Sequence, residues 1–119
     1  MFYIPDPTLT FVGVPYHVAT FTLFEFQAIA VAAVFSERAW LPTREEMRGE
    51  YRERVERKGC GRSFNSLLGE EVRYVRELVG WLNGNAEVTG GEKVERHSEA
   101  WVVESEVIVA KIRKMLELK

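Results

Sequence analysis

Three observations predict a mostly helical α/β chain, one short strand followed by four helices. Residues near the N-terminus are β-branched and aromatic, later stretches carry helix starts and stops, and charge is spread very unevenly. Of the 34 charged residues, made up of 16 Lys and Arg and 18 Asp and Glu, only Asp6 and Glu25 fall within residues 1–36. The first third is a core without a coat. Phe2, Phe11, Phe21, Phe24, Phe26 and Phe35 need cover on nearly every side, more than the 83 highly charged residues that follow can give. The rest of a larger protein is the expected cover.

Residues 8–14, Thr-Leu-Thr-Phe-Val-Gly-Val, form the expected strand, entered from Pro5 and Pro7 and left at Gly13 and Pro15. A helix is expected over residues 22–36, where Thr22 and Glu25 have the spacing that lets a hydroxyl and a carboxylate satisfy free N–H groups. Ala28, Ala30, Ala32 and Ala33 make it slim enough for close approach to a sheet or another helix. A second helix starts at Leu41-Pro42-Thr43, with Thr43 as N-cap and Glu46 three residues on, and runs to residue 58. Met47, Tyr51 and Val55 give it a narrow apolar stripe, and Glu50 with Arg54 and Glu53 with Arg57 are spaced to pair, so it reads as a peripheral helix. Gly59-Cys60-Gly61 ends it.

A third helix is expected over residues 68–82, with Val72, Val75, Leu78, Val79 and Leu82 on one side and a stop at Asn83-Gly84. Residues 85–97 carry no helical period, and Gly90-Gly91 suits the turn of a short hairpin between residues 87–89 and 92–94. A last helix, residues 98–118, spreads its apolar residues unevenly. No internal repeat is found.

Composition excludes several functions. A net charge of -2 gives no excess of Lys and Arg to hold a phosphate backbone, so nucleic acid is not the expected partner. Cys60 is the single cysteine, which rules out an internal disulfide and suits a reducing compartment. No metal-ligand spacing is present. The most apolar stretch, residues 21–35, contains Glu25 and Gln27 and falls short of the roughly 20 residues a bilayer span needs. No basic residue precedes it, as a signal peptide would require. The expected location is cytoplasmic, in solution or on the cytoplasmic face of a membrane.

Read in order, Asp6-Pro7-Thr8-Leu9-Thr10-Phe11-Val12-Gly13-Val14-Pro15, then Glu25-Phe26-Gln27-Ala28, then Leu41-Pro42-Thr43-Arg44-Glu45-Glu46-Met47 resemble the C-terminal region of the flavin-containing monooxygenases, particularly the fungal type. The resemblance covers about two thirds of the chain. It implies the terminal strand and following helices of a doubly wound FAD-binding domain, without its nucleotide-binding βαβ units. Residues 1–84 belong to that domain on this reading, and residues 85–119 form a loop and a C-terminal helix beyond the matched stretch. Neither G-x-G-x-x-G turn of the family is present: Gly59, Gly61, Gly90 and Gly91 follow no strand and open no helix in the required way. The match starts within a few residues of Met1, as though Met1 were internal to a longer polypeptide.

The implied function is that of the C-terminal part of an FAD- and NADPH-dependent monooxygenase, oxygenating small molecules at a nucleophilic nitrogen or sulfur, with the chemistry carried by the cofactor. Alone, the chain is expected to bind neither cofactor and to be inactive. By resemblance, Gly13 allows close backbone approach to the flavin, with Val14 and Pro15 beside it. Gln27 is similar to a family glutamine near flavin and nicotinamide. The helix N-terminus that follows offers N–H groups and partial positive charge to a reduced, anionic flavin.

The residues also have plainer readings. Gly13 can simply end a strand, Gln27 can be a buried amide with local partners, and Glu25 has a complete role as a capping carboxylate. His17 lies in the loop that would face the flavin, where a lone histidine is usually a surface residue. Cys60 has no nearby histidine or helix N-terminus and reads as an inert thiol. The alternative function is a free-standing helical interaction protein that binds a partner or self-associates. A third option is docking onto a separately made FAD-binding segment.

Overall fold

A computed structural model describes residues 1–15 and 20–117. Four helices make up the framework: α1 (Thr20–Phe35), α2 (Arg44–Lys58), α3 (Glu71–Thr89) and α4 (Glu99–Glu117), with a short 3-10 turn at Arg62–Asn65. No strand is present among the described residues. The expected strand over residues 8–14 is replaced by a compact turn in which Phe2 and Thr10 form an isolated antiparallel bridge. Tyr3 N–H donates to the Leu9 carbonyl at 2.9 Å and Phe11 N–H to the Met1 carbonyl at 2.7 Å. Asp6 pins the bend by accepting from the Thr8 hydroxyl at 2.6 Å and its N–H at 3.3 Å. The physical reason is the lack of a ladder partner: β-branched residues favour a pleated strand only where neighbouring strands take up their N–H and C=O groups.

The core lies between α1 and α3. α1 buries Leu23, Phe26, Gln27 and Ala30, the i, i+3, i+4, i+7 face of one helix, and α3 buries Val75, Val79, Leu82 and Ala86. Leu23, Phe26, Val75 and Val79 gather with Leu67, while Ala30 and Leu82 gather with Ala39. Full burial of one such Leu or Val is worth about 1.5–3 kcal/mol, so this seam dominates the stability. Phe24, Ile29, Ala33 and Val34 are half-buried beside that face, and the two ends of α1 are open. Phe21 is 87% exposed and Phe35 55%, and Phe11 at 50% and Val14 at 48% continue the apolar surface.

α2 begins with the expected capping box: Glu46 N–H donates to the Thr43 hydroxyl at 3.2 Å, and Thr43 N–H donates to the Glu46 carboxylate at 2.9 Å. It buries no residue, as its narrow stripe predicts, and ends at Gly59 in a positive-φ conformation. Of the two expected pairs, Glu53–Arg57 forms at 3.5 Å. Arg54 instead lays its guanidinium over the Phe64 ring, 4.9 Å from the centroid, because the turn after α2 brings that ring alongside. Glu70 ties α2 to the start of α3 by accepting from Lys58 at 2.6 Å and from Arg57. Burial pushes its carboxyl up, but those two cations outweigh burial and hold it below the usual carboxylate range.

Three further boundaries differ from the sequence expectation. α1 starts at Thr20 rather than residue 22, so Thr22 lies inside the first turn and does not cap. α3 runs from Glu71 to Thr89 rather than over residues 68–82. Asn83-Gly84 does not stop it, since an exposed glycine costs a helix only about 1 kcal/mol, while the apolar face continues to Ala86. The stop is Gly90, whose left-handed φ of 73° lets its N–H reach the Ala86 carbonyl. Residues 87–89 are thereby helical, and no hairpin forms around Gly90-Gly91. The connector after it is held by Asn83, which donates to the Val94 carbonyl at 3.0 Å and accepts from Val94 N–H at 2.7 Å.

The molecule measures 48 × 33 × 19 Å. The shortest extent is about two helix diameters, so a helix packed on one side is bare on the other. The radius of gyration, 15.4 Å, exceeds the roughly 13.5 Å typical of a compact domain of this length.

Candidate functional site

The N-terminal turn, α1, α2 and α3 border an open cleft of about 450 Å³ lined by Val14, Pro15, Gln27, Tyr51, Tyr74 and Trp81 among others. Three of the four sequence-selected site residues therefore line one hollow. The fourth, Gly13, joins them by a hydrogen bond: its N–H donates to Gln27 Oε1 at 2.8 Å. Gln27 Nε2 in turn donates to the Tyr74 hydroxyl at 2.9 Å. Gln27 is only 1% exposed. Its amide thus acts as a brace, bolting the turn at residues 13–15 to α3 across the body of α1, and both of its polar atoms are satisfied within the chain.

Gly13 has a φ of +85°, in the left-handed region that disfavours side chains. A Cβ there would lie 3.2 Å from the Phe24 ring, so the backbone conformation calls for glycine and a side chain would in addition press on the ring beneath it. Glu25 is exposed on α1 and takes no part in the brace. His17 lies outside the described residues. Cys60 is exposed after α2 and is not among the residues lining this cleft.

Sequence reading missed Tyr74, Arg54 and Trp81. Burial pushes the Tyr74 hydroxyl up from its usual pKa, outweighing the opposing hydrogen bond from Gln27 and the charge of Arg54. It stays a neutral O–H and, having accepted from Gln27, retains its own hydrogen for donation. The available signal was register: Tyr74 precedes buried Val75 and lies four residues before Leu78, at the edge of the apolar stripe of α3. Arg54 lines the same hollow, and its Nε is buried with no hydrogen-bond partner. Trp81 donates its indole N–H to the Trp40 carbonyl at 3.2 Å, fixing the chain between α1 and α2.

On the far side of the core, His97 stacks on Trp101 at 3.6 Å and meets Phe26 edge-on at 5.1 Å. Burial lowers its pKa, and its Nε2 is buried without a partner. Among the described residues there is no cluster able to hold a metal ion and no helix long and apolar enough to cross a membrane.

No protein-family model matches the chain, and no solved structure matches it. Curated proteins do. The flavin-containing monooxygenase ustF1 of Aspergillus flavus is 54% identical over 101 residues, 85% of this chain and 25% of that protein. The flavin-containing monooxygenase ustF2 of the same fungus is 46% identical over 113 residues, 95% of this chain and 23% of that protein. The flavin-containing monooxygenase FMO GS-OX-like 2 of Arabidopsis thaliana is 31% identical over 90 residues, 73% of this chain and 19% of that protein. The chain spans about a quarter of the length of the Aspergillus relatives it matches. The 113-residue match extends past residue 84 and takes in most of α4.

Proposed function

Since the chain belongs to the flavin-containing monooxygenase family, we propose that its N-terminal turn and α1 form one wall of the cofactor cleft in an FAD- and NADPH-dependent monooxygenase acting on small nitrogen or sulfur nucleophiles. On this reading residues 1–84 are the C-terminal part of a doubly wound FAD domain, working in the cytoplasm and only when joined to the segments that carry the nucleotide-binding turns. The observation that carries it is the Gly13–Gln27–Tyr74 chain of hydrogen bonds beside the cleft.

The residues present fit the flat face of a ring system. Gly13 lets the turn take its left-handed conformation over the Phe24 ring, Val14 and Pro15 line the hollow without adding charge, and Tyr74 offers a neutral donor. When bound, the cofactors supply hydride transfer and oxygen activation. The chain's own part is positional. Gln27 holds the 13–15 turn at a fixed depth, so that its backbone and the Tyr74 hydroxyl face the cleft in one arrangement. The first turn of α1 carries no acidic side chain, so the partial positive charge of that helix end is not neutralised from within the turn and favours an anionic ring. The sequence contains no G-x-G-x-x-G turn, so the pyrophosphate contacts are assigned to other segments of the enzyme.

A chimera tests this. The corresponding segment of the first Aspergillus relative is replaced by this chain, and flavin retention and NADPH-dependent oxygen uptake are measured. Both are expected to persist, and Gly13→Val in the chimera is expected to lower flavin retention at least tenfold. A well-folded chimera that retains flavin equally with and without that substitution would refute the assignment of the 13–15 turn.

A further inference from the structure

Glu50 precedes Arg54 by one turn of α2, yet the ion pairs of that helix are made by Arg57 and Lys58. Arg54 lines the cleft instead. There the Phe64 ring takes the flat side of its guanidinium at 4.9 Å, and Tyr51 meets the same ring edge-on at 5.5 Å. Aromatic contact, not a carboxylate, holds the cation in place. Stacking of this kind uses the face of a guanidinium and leaves the N–H groups in its plane to donate. Arg54 forms no hydrogen bond or ion pair with any described residue, and its Nε is buried in that state.

Tyr74 brings a second donor from α3, since its hydroxyl accepts from Gln27 at 2.9 Å and keeps its own hydrogen. Tyr51, Phe64 and Trp81 line the same cleft with aromatic surface. Two unmet donors in a largely apolar cleft call for an acceptor from outside the chain. Charge decides which acceptor. Glu50 and Glu77, both exposed, also line the cleft, so a single guanidinium suits one negative charge and not the two of a phosphate monoester. We propose that Arg54 and Tyr74 grip the carboxylate of a substrate with an apolar body, one donating from its guanidinium fork and the other from its hydroxyl. The inference rests on the reading of this cleft as the ligand-facing side of the monooxygenase. It puts the substrate on the wall made by α2 and α3 and leaves the 13–15 turn to the flavin.

The experiment is calorimetric titration of the full 119-residue chain with benzoate, phenyl phosphate and benzyl alcohol, the Trp81 indole N–H resonance marking the site. Met1 also lines the cleft, and burial together with Arg54 lowers its amine from the usual 8.0, so at about pH 8.5 Arg54 is the cation of the cleft. Benzoate is expected to bind about tenfold tighter than either other probe. Arg54→Gln is expected to weaken benzoate about tenfold and Tyr74→Phe about fivefold, with helical circular dichroism unchanged. Arg52→Gln removes the same charge from an exposed residue of α2 and is expected to bind as the wild type does. The proposal is overturned by no benzoate binding, by benzyl alcohol binding equally well, or by equal losses in Arg52→Gln and Arg54→Gln. Tighter binding of phenyl phosphate would also overturn it and give the site to a phosphate group. No flavin enters the titration, so a chimera that fails to retain flavin leaves this result standing, and a failure with benzoate leaves the flavin assignment standing.

Discussion

α3 and α4 are each 19 residues long, and each places apolar residues on one side. α3 buries Val75, Val79, Leu82 and Ala86, while α4 buries none. The difference lies in the partner: α3 meets α1, which is apolar nearly all round and slim at Ala30, whereas no second helix of that kind is left for α4. Amphipathic pattern makes a helix eligible for a core. What decides burial is a complementary face within reach.

The contrast is open to direct attack. Leu23→Ala in the α1–α3 seam is expected to cost about 2–5 kcal/mol, read from urea unfolding followed by circular dichroism. Val107→Ala on α4 is expected to change stability by no more than about 0.5 kcal/mol. Equal losses would mean that α4 is as much a part of the core as α3.

Next in size is the brace. Gln27→Ala strands the Gly13 N–H and removes a partner of Tyr74, at an expected cost of about 1–3 kcal/mol. Tyr74→Phe leaves the Gly13–Gln27 bond intact and is expected to cost nearer 1 kcal/mol. If the two variants unfold alike, the bond to Gly13 contributes nothing and the N-terminal turn is not anchored by Gln27.

The smallest effect is acid sensitivity where α4 joins the body. The folded chain holds His97 below its unfolded pKa of about 6.5, so the unfolded state binds the extra proton first. Stability is therefore full above that pH and is lost as pH falls through it toward the folded value. Arg76, Arg96, Glu99 and Glu106 line the adjoining hollow, and only the two carboxylates oppose the loss. His97→Phe is expected to flatten the stability profile in that window. A separate loss at lower pH, as Glu70 protonates and releases Lys58 and Arg57, is expected to remain.

Much of this was legible in the residues, where the signal was local. Thr43 and Glu46 define the start of α2 because a capping box involves only neighbours in sequence. Gly13 and Gln27 were singled out by resemblance, and the structure joins them directly. Non-local features were not legible. Whether residues 8–14 pair as a strand depends on strands this chain does not contain, and whether Asn83-Gly84 stops α3 depends on what Ala86 packs against. Tyr74 stood among helix residues as one more aromatic until the buried amide of Gln27 reached it across the core.

The reciprocal pair between Asn83 and Val94 has a further consequence, for proteolysis. A protease must draw several residues of its substrate into an extended form clear of the protein surface. Lys93 and Arg96, two exposed trypsin sites, flank the residue that Asn83 holds at both its N–H and its carbonyl. Cutting at either site requires that clamp to open first. The rate of nicking between α3 and α4 therefore reports how often Asn83 lets go and Val94 leaves the two core clusters it packs against.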